Sequence, residues 1–175
     1  ASVLLVLSSE LRRRLKRKSI KHVMDNLFEQ ETLMEDCIFC KIKDGKILSY
    51  KIRELDQKFC FAILDIFPIR AGHCMIIPKR HVPTLQELSK AEWNQVGEMA
   101  QKLAPAIRAA TGAQGISLLH RMGSAAGQVI PHAHFHLIPR NENDGLKEWP
   151  KTKADTVELE KMKARIDQEI IHSME

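Results

Sequence analysis

The sequence predicts one compact domain of the mixed α and β class. Four apolar runs have the length of strands, at residues 59–64, 73–77, 116–120 and 132–138. Between the second and the third run, residues 89–110 repeat apolar side chains at the spacing of a helix. The chain has 175 residues and is 44% hydrophobic, which is enough for one domain with a real core.

The first predicted element is a basic extension over residues 1–34. Residues 1–24 hold seven basic side chains and one acid, whereas the rest holds 20 basic and 21 acidic residues, so no nucleic-acid-binding surface is expected. Leu7, Leu11 and Leu15 alternate with arginines, which is typical of an amphipathic helix on a membrane, a partner or a second copy. The composition also resembles a mitochondrial transit peptide. The simpler alternative is a solvated extension.

The domain itself is predicted to span residues 35–150, and it begins with a short helix and two strands. Residues 37–43 suit one helical turn. The runs 59–64 and 73–77 are separated by proline and glycine residues, which predicts a hairpin-like pair.

Two amphipathic helices are predicted beyond these strands. In the first, over residues 89–110, Ser89 followed three residues later by Glu92 predicts a capping box, and Pro105 predicts a kink or the end of the regular part. Its apolar face holds Trp93, Val96, Met99, Leu103 and Ile107.

The second amphipathic helix lies within residues 151–175 and is predicted to pack on the domain. Its apolar side holds Leu159, Met162, Ile166 and Ile170.

Three histidines alternate with apolar residues in the last predicted strand. Because alternate residues of a strand face the same side, His132, His134 and His136 share one face. Such a row does not favour the stability of the fold, because each ring needs hydrogen-bond partners and titrates near neutral pH. A neutral imidazole is a good nucleophile toward phosphorus, and a neighbouring imidazole can orient it or protonate a leaving group. The row therefore indicates catalysis rather than a solvated sheet face.

A loop of small residues, 123–128, directly precedes the histidine row. Small side chains let backbone N–H groups approach an anionic phosphate, above all at Gly127. Ser124 and Gln128 can add neutral donors. Beside the histidines, this loop predicts a phosphate site.

Cys37 and Cys40 form a C-x-x-C pair, which is typical of a metal site or a redox couple. With His81 and His132 they would complete a tetrahedral Cys2His2 zinc site, which would be structural because four protein ligands leave no position for substrate. The redox alternative needs a buried strand before Cys37, and the residues there do not predict one.

The cysteine content also favours a reducing compartment. Four cysteines are too few for a disulfide scaffold in a chain of this length. Cys60 and Cys74 lie in apolar runs and are predicted to be small core residues. The expected location is cytoplasmic, with mitochondria as the alternative that the N-terminal composition raises.

These motifs together resemble the histidine triad (HIT) family, whose signature alternates three histidines with apolar residues. Residues 132–138 match that signature at every position, and the likeness covers roughly residues 37–145. It includes the segments 36–42, 64–68, 72–81 and 126–128. The chain is most similar to the zinc-bearing Hint-like and bacterial-type branch.

The resemblance implies an α+β, HIT-like fold: a five-stranded antiparallel sheet with a long helix and a C-terminal helix, forming a homodimer. It also implies hydrolysis or transfer at the α-phosphorus of purine nucleotide conjugates of the adenosine 5′-phosphoramidate type, through a nucleotidyl-histidine intermediate. Two alternatives stay open: a dinucleoside polyphosphate hydrolase, and a non-catalytic nucleotide-binding or scaffold protein.

The resemblance further implies a role for individual residues. His134 is the nucleophile, His136 faces the phosphate and the leaving group, and His132 supports the site or binds zinc. Asp65 stands where the family binds the ribose hydroxyls, which suits a carboxylate that can accept from both. The apolar pocket for the base corresponds to Ile38, Phe39, Ile42, Ile63 and Ile66.

The sequence departs from the family pattern near the phosphate loop. Arg121 and Met122 stand where many members have two asparagines, or asparagine and glutamate, and Val129 stands where some have serine. Arg121 is expected either to contact the phosphate or to reach solvent. These departures bear on the preferred substrate and leaving group, not on the nucleophile.

Overall fold

The computed structural model describes residues 36–147 and 149–174, so the predicted N-terminal extension lies outside the described residues. The chain divides into two compact units, with the boundary between Glu142 and Asn143. The domain boundaries expected at residues 34/35 and 150/151 stay predictions.

The first unit contains a four-stranded antiparallel sheet with the order β1-β2-β4-β3 among the described residues. Its regular elements are α1 (Ile38–Lys43), β1 (Cys60–Leu64), β2 (Cys74–Pro78), α2 (Lys90–Thr111), β3 (Gly115–Leu119) and β4 (Phe135–Arg140). The predicted hairpin-like pair is confirmed, since β1 and β2 are antiparallel neighbours with Cys60 opposite Pro78 and Leu64 opposite Cys74.

The five-stranded sheet expected from the family is only partly present. Beyond β1, in the part of the chain that the structure describes, Lys51 forms an isolated antiparallel bridge with Ile63. The backbone N–H of Ile52 donates to Ala62, but the chain then turns at once into the 3-10 helix Arg53–Leu55. This turn ends the pairing after one bridge, so no fifth strand develops there.

The last strand begins later than the sequence predicts. Of the expected range 132–138, only the part from Phe135 onward belongs to β4. The backbone N–H of Ala133 donates to Val82, which lies in a loop rather than in the sheet, and this contact holds the chain out of the ladder. Two of the three histidines therefore precede the strand.

Helix α2 covers one face of the sheet. Its capping box is confirmed: the Ser89 side chain accepts from the Glu92 N–H, and the Glu92 carboxylate accepts from the Ser89 N–H. The helix does not end at Pro105 but continues to Thr111. Most of the predicted face is buried against the sheet, although Trp93 is half exposed. This core contains Val96, Met99, Leu103 and Ile107, together with Cys60 and Cys74 as predicted.

Helix α1 covers the other face of the sheet. Its residues Phe39, Cys40 and Ile42 pack with Phe61, Ile63, Met75 and Ile77 in a second apolar cluster. His136 of β4 lies opposite Met75 of β2 and therefore points to this same face. The site described below is built between α1 and the sheet.

The second unit contains α3 (Thr156–Met174), in agreement with the predicted C-terminal helix. Its packing on the domain stays a prediction. Among the described residues, no helix is both long enough and apolar enough to cross a membrane.

Candidate active site and metal cluster

Four predicted metal ligands meet at the start of α1. Cys37, Cys40, His81 and His132 each direct one ligand atom into a common space in which all four atoms lie within 4.8 Å of one another. The Cys37 Sγ and His132 Nδ1 atoms are 3.3 Å apart, and Cys40 Sγ lies 3.5 Å from His81 Nδ1 and 3.7 Å from His132 Nδ1. In a tetrahedral zinc site, bond lengths of about 2.3 Å to sulfur and 2.0 Å to nitrogen place such atoms about 3.6 Å apart. The cluster can therefore bind a metal.

The second nitrogen of His132 prepares the ring for a metal. Its Nε2 lies 2.8 Å from the carbonyl oxygen of Pro78, which can only accept, so Nε2 carries the proton and Nδ1 presents its lone pair to the two sulfurs. Burial, as the largest cause, lowers the pKa of His132 to about 4, so the ring is neutral at pH 7. This histidine faces the cysteines and does not line the cavity described next.

An apolar cavity of about 410 Å³ opens on the α1 face of the sheet, within the size range of small-molecule sites. It brings together the residues predicted for base, ribose and phosphate: Ile38, Phe39, Ile42, Ile63, Asp65, Ile66, Arg121, Gly127, His134 and His136. Ser124 and Gln128, also predicted to contact substrate, are not among its lining residues.

His134 presents one defined nitrogen to the cavity. Its Nδ1 lies 2.6 Å from the carbonyl oxygen of His132, so Nδ1–H donates and Nε2 retains the lone pair of a neutral ring. The ring packs against Phe39, with the two centroids 5.2 Å apart. Burial is the main cause that lowers the pKa of His134. The result is a neutral, oriented imidazole whose Nε2 has no hydrogen-bond partner within residues 36–147 and 149–174.

His136 is oriented by a fourth histidine, His73, to which no sequence motif assigns a role. His73 Nε2 lies 2.9 Å from His136 Nδ1, and the backbone N–H of Ile69 donates to His73 Nδ1 at 3.3 Å. Because His73 Nδ1 accepts, its Nε2–H donates to His136, which leaves the remaining proton of a neutral His136 on Nε2. Burial, ahead of the neighbouring rings, lowers the pKa of His136 to about 4. Its Nε2–H is thus a neutral donor.

Asp65 lies at the outer edge of the cavity, directly after β1. Its Oδ1 accepts from the Phe67 N–H at 2.8 Å, and its Oδ2 lies 3.5 Å from His73 Nδ1. The hydrogen bond from the Phe67 N–H orients the carboxylate and leaves acceptor capacity for a ligand.

The loop of residues 123–128 is held in place by Gln128, which was predicted to contact the substrate. The Gln128 amide donates to Pro83 and Ile130 and accepts from the Gly123 N–H, so it closes the loop on itself. Ser124 begins the 3-10 helix Ser124–Ala126. Gly127 has a φ of +81°, which favours glycine.

His120 is a second residue that the sequence did not single out. Its Nδ1 lies 2.9 Å from the carbonyl oxygen of His134, its Nε2 accepts from the Leu85 N–H at 3.2 Å, and its ring stacks on Phe135. It fastens the backbone of the candidate nucleophile to a neighbouring loop. The only sequence signal was a histidine at the end of an apolar run.

Two relatives with named activities are similar over most of the chain. Adenylylsulfatase HINT3 of Arabidopsis thaliana is 40% identical over 137 residues, which cover 78% of this chain and 68% of that protein. Adenosine 5'-monophosphoramidase HNT1 of Saccharomyces cerevisiae is 38% identical over 133 residues, which cover 75% of this chain and 80% of that protein.

Solved structures show the same fold. A HIT family member from Bacillus subtilis matches with a TM-score of 0.69 and 33% identity, over 76% of this chain and 96% of that chain. A zinc-bound histidine triad family protein from Mycobacterium smegmatis matches with a TM-score of 0.60 and 29% identity, over 69% of this chain and 86% of that chain.

The family assignment rests on the sequence as well as on the fold. The model of the HIT domain matches residues 49–143, which include the sheet, the long helix and the histidine row. The four potential metal ligands and the oriented histidines lie in or beside this range. With this match and the identities above, the chain belongs to the histidine triad (HIT) family.

Proposed function

We propose that this protein hydrolyses purine nucleotide conjugates at the α-phosphorus, with AMP as the transferred group and His134 as the nucleophile. The observation that carries the proposal is the 2.6 Å contact between Nδ1 of the cavity-lining His134 and the His132 carbonyl oxygen, because it leaves the lone pair of the neutral ring on Nε2. The two relatives named above, an adenylylsulfatase and an adenosine 5'-monophosphoramidase, support AMP conjugates as the substrate class.

The cavity supports this substrate class by its division into apolar and polar parts. The flat apolar walls around Ile38, Phe39 and Ile63 suit a purine base. The Asp65 carboxylate suits the two ribose hydroxyls. A nucleotide held in this way brings its α-phosphorus toward His134 and His136.

The reaction proceeds in two displacements. Nε2 of His134 forms a bond to phosphorus while the bond to the leaving group breaks and the leaving group keeps the electron pair. Water then attacks the phosphorus, the N–P bond breaks, and AMP departs. An amine leaving group takes up one proton from solvent as the P–N bond breaks, and the attacking water returns one proton to solvent in the second displacement. The Nε2–H of His136 donates a hydrogen bond to the phosphoryl oxygens and stabilises their charge.

Zinc is the metal we propose for the Cys37, Cys40, His81 and His132 cluster. Two thiolates and two imidazoles are a preferred tetrahedral zinc set. Bound there, the ion supplies structural stability and no open coordination position, so His132 has no direct part in the chemistry.

The test is turnover of a fluorogenic AMP phosphoramidate by His134→Ala. We expect kcat/KM to fall about 10³-fold or more, while AMP binding stays within a few-fold, because the nucleophile is lost and the base pocket is intact. The matched control is His172→Ala, which removes an exposed histidine on α3. Retained turnover in His134→Ala contradicts the mechanism. Nucleotide binding without turnover of any conjugate by the natural protein favours the scaffold alternative.

A further inference from the structure

The charged groups that line the cavity stand at opposite edges of the sheet. Asp65 follows β1, one outer strand, and Arg121 follows β3, the other outer strand. Leu119 lies opposite His136 on β4, so by alternation Arg121, two residues later, returns to the face of the histidines. Arg121 and Asp65 both line the cavity together with His134 and His136, and β4, which carries His136, lies between β1 and β3 in the sheet.

The guanidinium of Arg121 is fitted against the phosphate loop. Its Nη1 donates to the Gly127 carbonyl oxygen at 3.3 Å. A Cβ at Gly127 would lie 2.8 Å from Nη1 and 3.6 Å from Cδ and Cζ, so the guanidinium packs directly against the glycine. Arg121 has no carboxylate within ion-pair distance among residues 36–147 and 149–174, and the structure gives it one hydrogen bond for five N–H donors. Its charge is available to a ligand.

We infer that Arg121 is a specificity-determining residue that binds the leaving group and favours AMP conjugates whose leaving group is an anion, such as adenylyl sulfate. The inference rests on the proposed function: with the ribose at Asp65 and the α-phosphorus at the histidines, the rest of the conjugate extends toward β3 and Arg121. Arginine is always charged at neutral pH and binds tetrahedral oxyanions through several N–H groups.

The charge of the departing group explains the preference for an anionic leaving group. When His134 Nε2 bonds to phosphorus, the P–O bond to sulfate breaks and sulfate leaves with the electron pair and without a proton. A fixed positive charge stabilises that developing anion. An amine leaving group departs neutral and then becomes a cation, so Arg121 gives it no comparable help. Water then releases AMP from His134 in both cases.

The experiment compares kcat/KM for adenosine 5′-phosphosulfate and for an AMP phosphoramidate in the natural protein, Arg121→Asn and Lys102→Asn. We expect Arg121→Asn to lower the sulfate-to-amine ratio of kcat/KM by about tenfold or more, the effect of one lost charge-assisted hydrogen bond. Arg121→Lys keeps the charge and should retain part of the ratio. Lys102→Asn removes an exposed charge on α2, across the sheet from the cavity, and should leave the ratio unchanged.

The outcomes separate this inference from the proposed function. A ratio that falls only in Arg121→Asn supports the inference. Equal loss of both activities in that variant, or a natural protein that cleaves the phosphoramidate but not the phosphosulfate, overturns the inference and leaves the proposed function intact. A natural protein that cleaves neither conjugate overturns both.

Discussion

A hydrogen bond from His73 determines which ring nitrogen of His136 carries the proton that can be donated to a substrate. With His73 Nε2–H donating to His136 Nδ1, the His136 proton lies on Nε2. We expect His73→Leu to lower kcat about tenfold with little change in KM, since substrate binding does not use His73. His73→Gln, whose amide N–H can replace Nε2–H, should restore part of kcat. Steady-state kinetics measure both parameters, and ¹⁵N shifts report the His136 tautomer. A raised KM with unchanged kcat would contradict a positioning role.

The pKa of His136 also makes a prediction about stability. Burial lowers it to about 4 in the folded protein, whereas an unfolded histidine titrates near 6.5. Between these values the unfolded state binds more protons, so the free energy of unfolding falls as the pH drops from about 6.5 toward 4. Urea denaturation at pH 7 and pH 5 measures this loss. We expect a smaller loss in His136→Asn, and an equal or larger loss would count against a buried neutral ring.

At the scale of elements, one carboxylate joins the start of α2 to the end of β2. Glu92 is buried, accepts from Arg80 Nε and Nη2 at 2.9 and 2.7 Å, and closes the capping box with Ser89. The Arg80 hydrogen bonds are the largest cause that lowers the pKa of Glu92, to about 2. Glu92→Gln should cost about 2 kcal/mol of unfolding free energy at pH 7, as expected for charge-assisted hydrogen bonds.

The same carboxylate sets a pH window. The stability it supplies is fully present above about pH 4.5 and is lost as the pH falls toward 2, because the unfolded carboxyl takes up a proton first. Urea denaturation from pH 7 to pH 3 should therefore bring the natural protein and Glu92→Gln closer together. Glu98→Gln, on the exposed side of α2, is the control and should change stability by less than about 0.5 kcal/mol. A constant difference across the range would contradict the ion pair.

Elements with strong local signals were predictable, and those fixed by long-range contacts were not. The capping box of α2 follows from residues three apart, and the β1–β2 pair follows from two apolar runs around turn residues. The start of β4 depends on the Ala133–Val82 hydrogen bond, which joins distant parts of the chain. The single Lys51–Ile63 bridge likewise depends on where the chain turns away from the sheet.

The candidate site shows the same division. The spacing of the histidine row and of the C-x-x-C pair was enough to predict a catalytic site and a metal site, and the structure brings the predicted partners of each together. His73 meets His136 only because β2 pairs with β4, so no local pattern could assign it. Gln128 was expected at the phosphate because its amide is a good donor, but that amide closes the loop instead.

In the whole molecule, the four candidate metal ligands come from three segments of the first unit that are distant in sequence. Cys37 and Cys40 come from the start of α1, His81 follows β2, and His132 precedes β4. We expect about one zinc per chain by elemental analysis and a clearly lower Tm after chelation, because metal binding free energy contributes to folding. The homodimer implied by the family stays a prediction.

Cysteine variants separate this role from general packing. Cys37→Ala should lose zinc, whereas Cys74→Ala, which removes a buried thiol elsewhere in the core, should retain it even if it is less stable. A natural protein purified without chelators that contains no zinc, or equal zinc in both variants, would contradict the assignment.

The proposed function requires that His134 carries AMP during turnover. The most direct measurement is rapid quench of the protein and an AMP conjugate in alkaline denaturant, followed by intact mass and peptide mapping at alkaline pH, because the phosphorus–nitrogen bond to histidine hydrolyses in acid. We expect a transient mass increase of one AMP less water, located on His134 and absent from His134→Ala. Turnover with no such adduct, or an adduct on His136 or His73, would rule out His134 as the nucleophile.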